Sequence, residues 1–176
     1  IYFSKEENVI EALEFLNEAL KNANIEYDIN KNFLKDSEWA DNWKKFFKVT
    51  EIGDRLTIRP SWEEYDNKNG RTVLSIDPGA AFGTGTHATT SLCLELLENY
   101  VKEDCEVLDI GCGSGILSIA SVLLGAKSAV GVDIDAQSVK VAKENAEINN
   151  VTDKTEYIVG DLAEKINGKF QIVCAN

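Results

Sequence analysis

The amino-acid sequence predicts an α/β fold: a doubly wound, mostly parallel sheet with helices on both faces, preceded by the remnant of a small N-terminal α+β unit. Three observations carry this expectation. From residue 71 onward, short apolar strands alternate with amphipathic helices, the rhythm of parallel strands joined by crossover helices. The run DIGCGSG, residues 109–115, follows one of those strands and opens a helix, so small residues stand where a ligand approaches the backbone and a helix N-terminus. Asp133 ends the next strand, 22 positions after Gly111, where doubly wound folds hold a pair of ribose hydroxyls.

The elements follow in order. SKEE pairs Ser4 with Glu7 as a capping box, and Val9, Ala12, Leu13, Leu16, Ala19 and Leu20 then recur at helical spacing, which predicts an amphipathic helix with one buried face. Ile25, Tyr27 and Ile29 alternate as in a short strand, so residues 1–35 are read as the α+β remnant. Trp39, Trp43, Phe46 and Phe47 fall on one face of a short helix; packing against a neighbouring domain and an aromatic ligand platform both fit, and the large area aromatics bury favours packing. With the strand RLTIRP and the polar, turn-rich EEYDNKNG, this helix makes residues 36–70 a connecting segment, and residues 71–176 the main domain. There TVLSI is a strand and THATTSLCLELLENYV a helix, with Leu92, Cys93, Leu96, Leu97 and Tyr100 on its expected apolar face. EVLDI, SAVGVD, EYIVG and FQIVCA read as four buried strands, separated in part by the helical GILSIASVLLG and DAQSVKVAKENAEIN. The chain opens at Ile1 with no methionine anywhere and stops directly after FQIVCAN, so it is expected to be a piece of a longer protein, its sheet truncated after the fourth of those strands.

Composition narrows the function. The 176 residues are 44% hydrophobic and 27% charged, ordinary for one globular domain with a small appendage. Thirty acidic residues against eighteen basic ones give a net charge of −12, which disfavours sequence-independent nucleic-acid binding and suits a cationic partner; it equally describes a solubilising surface. Cys93, Cys105, Cys112 and Cys174 show neither CxxC spacing nor a nearby histidine, so no metal site is predicted and reduced, cytoplasmic thiols are expected. No apolar run is long enough for a membrane span, and no signal-peptide pattern opens the chain.

The glycine cluster, strand, helix and acid in register predict an adenosine-containing cofactor. Dinucleotide sites use GxGxxG, whereas residues 109–115 run DxGxGxG. This run resembles motif I of the class I S-adenosylmethionine-dependent methyltransferases, of Rossmann-like fold. A longer resemblance covers residues 37–176: WADNWKKFFK, IGDRLTIRPSWE, DPGAAFGTGTHATTSLCLELLE, VLDIGCGSGILSIA, GVDID and the final AN resemble the methyltransferases of large-subunit ribosomal protein eleven, the PrmA family.

The resemblance implies roles. Gly111 and Gly113 lie against the amino-acid end of S-adenosylmethionine, Asp133 binds its ribose and Asp161 its adenine, although Asp161 also fits a helix N-cap. The loop DPGAAFGTGTHATT arches over the cofactor: Thr90 contacts it, Thr89 lies close to the transferring methyl group, and Phe82 with the backbone of Gly83, Thr84 and Gly85 closes the site. Asn176 is placed where amino-group methyltransferases of this fold offer an acceptor to the amine, and counts with Thr89 as a catalytic residue and as a cofactor contact. His87 is either a base or a structural residue at a helix start. The implied reaction is multiple methylation of lysine ε-amines and the N-terminal α-amine of ribosomal protein L11, with residues 1–35 the latter part of a substrate-docking domain; a monomer is expected. Two alternatives remain at this point: a methyltransferase of another protein or a small-molecule amine, and a non-enzymatic binding module. A dehydrogenase is disfavoured by the glycine spacing.

Overall fold

The computed structural model describes residues 6–29, 47–77, 87–161, 166 and 168–176. The Ser4 cap, the helix expected around Trp39, Trp43 and Phe46, and the loop residues Phe82, Gly83, Thr84 and Gly85 lie outside these. The chain divides into two compact units, Ile1–Ala40 and Asp41–Asn176.

In the first unit α1 spans Glu6–Asn22. Val9, Ala12, Leu13, Leu16 and Leu20 lie on its half-buried face, while Ala19, expected there, is exposed. Asn24 ends the helix in the left-handed conformation, φ 54, and the Ile25 N–H returns to the Leu20 carbonyl at 3.1 Å, a Schellman-type stop. The strand expected over Ile25, Tyr27 and Ile29 does not form. Alternation makes a strand only where the backbone finds a neighbour, and Tyr27 instead donates its hydroxyl to Asn17 Oδ1 of α1 at 2.8 Å.

The described residues of the second unit form two sheets. β1 (Thr50–Ile52), β2 (Leu56–Pro60) and β3 (Thr72–Ile76) form one in the order β1-β2-β3, antiparallel and then parallel. The polar turn EEYDNKNG thus lies between two strands of one sheet, and residues 50–60 share a unit with the domain that follows. The β1–β2 turn is fastened from outside the sheet: the Glu98 carboxylate accepts the N–H groups of Asp54, Arg55 and Leu56 at 2.8, 2.9 and 2.8 Å.

The other sheet, β4 (Glu106–Ile110), β5 (Ser128–Asp133), β6 (Thr155–Val159) and β7 (Ile172–Ala175), is wholly parallel in the order β6-β5-β4-β7. The chain steps outward from β4 through β5 to β6, then returns to β4's other side, so the order reverses between β4 and β7. In open α/β sheets a ligand crevice opens at such a reversal, beyond the carboxyl ends of the strands. Among the described residues three helices accompany the sheets: α2 (Ala88–Tyr100), α3 (Ile116–Leu123) and α4 (Ala136–Ile148). α3 is buried along nearly its whole length, as its all-round apolar sequence requires. The core runs from Leu56, Ile58, Leu74 and Ile76 of the first sheet to Val107 and Ala129 of the second through Leu94 and Ile119. Among the described residues no helix is long and apolar enough to cross a membrane.

The expected face of α2 is corrected in part. Of the expected residues, Leu97 is buried and Cys93 is half-buried against the core, but Leu92, Leu96 and Tyr100 are 58%, 55% and 65% exposed, and Thr90 and Leu94 are buried instead, with Val101 just beyond the helix. Both rows recur at helical spacing, so periodicity alone selects neither.

Candidate functional site

The carboxyl ends of β4, β5, β6 and β7 bring together Gly111, Asp133, Asp161 and Asn176, with Thr90 on the first turn of α2 beside Asn176. Each position follows from local sequence. Gly111, Gly113 and Gly115 have φ of 71, 52 and 79, a region in which a Cβ is penalised, and this folds the chain sharply from β4 into α3. The turn is pinned to β5: Gly111 and Cys112 N–H donate to the Val132 carbonyl at 2.8 and 3.0 Å, and Gly115 N–H to the Cys112 carbonyl at 2.8 Å. Gly113 N–H donates to Asp133 Oδ2 at 2.9 Å.

These bonds decide what the turn can hold. A loop that cradles phosphate offers several backbone N–H groups to the anion. Here the N–H groups of Gly111, Cys112, Gly113 and Gly115 are already bonded within the protein, so these four give a close-packed surface and no anion donors. Gly111 supplies that surface: it is exposed, and a Cβ placed on it would meet nothing within 4 Å, so its bare backbone faces open space. Asp133 is half-buried, and its Oδ1 also accepts the Asp135 N–H at 3.0 Å. A carboxylate carries about four acceptor sites; two backbone donors orient this one and leave capacity for two hydroxyl donors. A bare glycine surface beside an oriented carboxylate fits a nucleoside cofactor without a pyrophosphate.

Tyr157 and Ser118, which the sequence did not single out, support the turn from beneath. A Cβ on Gly115 would meet Tyr157 Oη at 2.9 Å and Ala142 Cβ at 3.0 Å, and one on Gly131 would meet the Tyr157 ring at 2.6 Å. The Tyr157 hydroxyl is hydrogen-bonded to Ser118 Oγ at 3.1 Å, and burial pushes its pKa up. Asp109, buried at the end of β4, accepts the Ser118 N–H at 3.1 Å; burial pushes its carboxyl up to about 6 although the Ser118 hydrogen bonds oppose this. Burial likewise raises the Cys112 thiol, and raises that of Cys174 to about 12, so both stay protonated at neutral pH and are poor nucleophiles. Among the described residues no His, Cys, Asp and Glu cluster suits a metal ion.

Thr90 is fully buried, and its Oγ1 accepts from Asn176 Nδ2 at 3.1 Å across 86 residues of sequence. Thr89 is exposed, its hydroxyl 2.8 Å from His87 Nδ1. His87 is the N-cap of α2, its ring accepting the Thr89 N–H. Asp161 follows β6 and is exposed. The α4 cap is Asp135, which takes the N–H groups of Gln137 and Ser138 at 3.1 and 3.0 Å; the Ser138 hydroxyl and these N–H groups hold its carboxyl below the usual range.

The parallel sheet with its order reversal, the glycine turn after β4 and the oriented carboxylate ending β5 fit a Rossmann-like class I methyltransferase fold. Within that class, the chain belongs to the ribosomal protein L11 methyltransferase (PrmA) family, whose model matches residues 1–176. It is 45% identical over 181 residues to the ribosomal protein L11 methyltransferase of Clostridium botulinum (strain Eklund 17B / Type B), covering 99% of this chain and 58% of that protein. Its counterpart in Acetivibrio thermocellus is 43% identical over 180 residues, with 99% and 57% covered. The crystal structure of ribosomal protein L11 methylase from Lactobacillus delbrueckii subsp. bulgaricus superposes with a TM-score of 0.67 at 35% identity, over 72% of this chain and 65% of that one. The chain therefore spans under two thirds of the length of these relatives.

Proposed function

We propose that the whole protein transfers methyl groups from S-adenosylmethionine to lysine ε-amines and the N-terminal α-amine of ribosomal protein L11. The observation that carries this reading is the pairing of Gly113 N–H with Asp133 Oδ2 at 2.9 Å, which orients a ribose-binding carboxylate beside a glycine surface whose N–H groups are spent. Family membership supplies the substrate. When bound, S-adenosylmethionine supplies a sulfonium methyl already activated for transfer. The work left to the protein is alignment, and holding nucleophile and electrophile in place lowers such a barrier by roughly 7–11 kcal/mol.

In this reading Gly111 and Gly113 receive the amino-acid end of the cofactor, Asp133 the ribose, Asp161 the adenine, and Thr90 and Phe82 complete the enclosure, with Thr89 near the methyl group. Asn176 orients the attacking amine. A lysine of pKa about 10.4 is protonated in water and cannot attack; a dry pocket and carbonyl acceptors favour its neutral form. The hydrogen bond from Asn176 Nδ2 to Thr90 Oγ1 holds the amide by its nitrogen, and its carbonyl oxygen is the acceptor presented to an amine N–H. The first unit, with residues 1–35, docks the substrate; the net charge of −12 suits a cationic one. A cytoplasmic monomer acting on protein rather than nucleic acid belongs to the same proposal.

Calorimetric titration of S-adenosylmethionine into the full-length protein and its Asp133→Ala variant, with NAD as a control, tests the assignment. The variant is expected to bind roughly 10- to 150-fold more weakly, the worth of hydrogen bonds to a charged group, about 1.5–3 kcal/mol. Mass spectrometry of ribosomal protein L11 after incubation with enzyme and cofactor reads the methylation. Absence of cofactor binding in a folded full-length protein would sink the enzymatic reading.

A further inference from the structure

Asn145 lies on α4 among Val141, Ala142 and Ala146 and is fully buried. Its amide bridges two segments remote in sequence. Oδ1 accepts the Asp77 N–H at 2.8 Å, and Nδ2 donates to the Ser114 carbonyl at 2.9 Å. Asp77 is the first residue after β3 and begins the DPGAAFGTGTHATT stretch, while Ser114 lies within the glycine turn. One turn along α4, Asn149 Oδ1 accepts the Ser75 N–H at 2.8 Å, and its Nδ2 donates to the Ser75 carbonyl at 2.6 Å and to the Asn145 carbonyl at 2.8 Å. Asn149 thus gives β3 the two bonds a neighbouring strand would give, on the edge that β2 does not occupy.

We propose that Asn145 is a positioning residue that ties the glycine turn to the end of β3 at Asp77, and so holds that turn in the conformation that receives the cofactor. This rests on the reading that the strand carboxyl ends bind S-adenosylmethionine. A helix face this apolar is packed as well by leucine, and an amide buried there is costly unless both its ends are bonded. Asn145 meets that condition with the Asp77 N–H at the end of β3 and the Ser114 carbonyl of the glycine turn, so its two bonds specify a separation that apolar packing would leave to adjust.

The test uses the full-length protein and the variants Asn145→Ala and Asn145→Asp, with Ile58→Ala in the core of β2 as a destabilised control outside the site. Calorimetry with S-adenosylmethionine is run at a temperature where circular dichroism shows every variant folded, and amide hydrogen exchange is followed in the absence of cofactor. Asn145→Ala is expected to raise Kd at least tenfold and to speed exchange at both Asp77 and the glycine turn. Asn145→Asp keeps an acceptor for the Asp77 N–H but loses the donor to Ser114, so it is expected to loosen the turn alone; it also serves if the alanine variant does not fold. Ile58→Ala, with a comparable loss of melting temperature, is expected to leave Kd within twofold. Equal Kd values for wild type and Asn145→Ala, or an equal rise in the Ile58→Ala control, overturn the inference. A wild type that fails to bind S-adenosylmethionine refutes the cofactor reading instead, and exchange in Asn145→Ala then decides the positioning role: faster exchange at both Asp77 and the glycine turn sustains it, unchanged exchange at either overturns it.

Discussion

Replacing Gly115 with alanine should damage the fold, whereas the same replacement at Gly111 should damage the site. Both glycines have left-handed backbones, φ 79 and 71, and alanine there costs about 1–2 kcal/mol. At Gly115 the new Cβ also meets Tyr157 Oη at 2.9 Å, Ala142 Cβ at 3.0 Å and Ala142 Cα at 3.2 Å. One of those contacts is backbone of α4 and another is a hydroxyl held by Ser118, so the surroundings yield little, and overpacking adds about 1–3 kcal/mol. Gly115→Ala is therefore expected to lose about 2–5 kcal/mol in all. At Gly111 no atom lies within 4 Å of the built Cβ, so the loss stops at about 1–2 kcal/mol. That Cβ would, however, occupy the surface assigned to the cofactor, and S-adenosylmethionine affinity is expected to fall at least about tenfold, about 1.4 kcal/mol. Urea unfolding of the full-length protein gives the stabilities, and calorimetry gives the affinities. Equal stability losses in the two variants, or wild-type affinity in Gly111→Ala, would refute the division of labour within the turn.

Three further outcomes are expected. Asp109 has a carboxyl raised by burial from 3.8 to about 6, so the folded state holds its proton more tightly than the unfolded chain does; the stability this contributes below about pH 4 is lost as pH rises through 6, up to about 3 kcal/mol. Asp109→Asn should flatten the stability profile between pH 4 and 6 and be the more stable protein at pH 7; a variant less stable than wild type at pH 7 counts against this cause. Glu98→Ala removes the acceptor of three backbone N–H groups in the β1–β2 turn and should cost about 1–3 kcal/mol by thermal or urea unfolding, with cofactor affinity unchanged; no measurable loss would show that water replaces the carboxylate. Thr90→Val removes the oxygen to which Asn176 Nδ2 donates, and should cost about 1 kcal/mol of stability while lowering kcat on ribosomal protein L11 more than it changes cofactor Kd; unchanged turnover would dissociate that hydrogen bond from amine orientation.

Sequence alone determined those features of this protein that depend on near neighbours along the chain. The strand–glycine–helix order of DIGCGSG, the acid at the end of SAVGVD, and the alternation behind the parallel sheet are local patterns, because turn conformation and strand or helix periodicity are set within a few residues. Tertiary structure decided what depends on which surfaces meet. On α2 the rows Leu92–Leu96–Tyr100 and Thr90–Leu94–Leu97 have the same helical spacing, and only docking against the sheets turned Thr90 inward. Ile25, Tyr27 and Ile29 alternate as a strand does, yet no strand forms there and Tyr27 is bonded to Asn17. Asn145 shows both sides: a polar residue on the buried face of α4 was a visible signal, since buried amides need partners. Its partners, Asp77 and Ser114, lie 68 and 31 residues away, and no periodicity spans that distance. The physical reason is range: backbone sterics and helical or strand period act along the chain, whereas burial and long-range hydrogen bonds are settled only when distant segments pack.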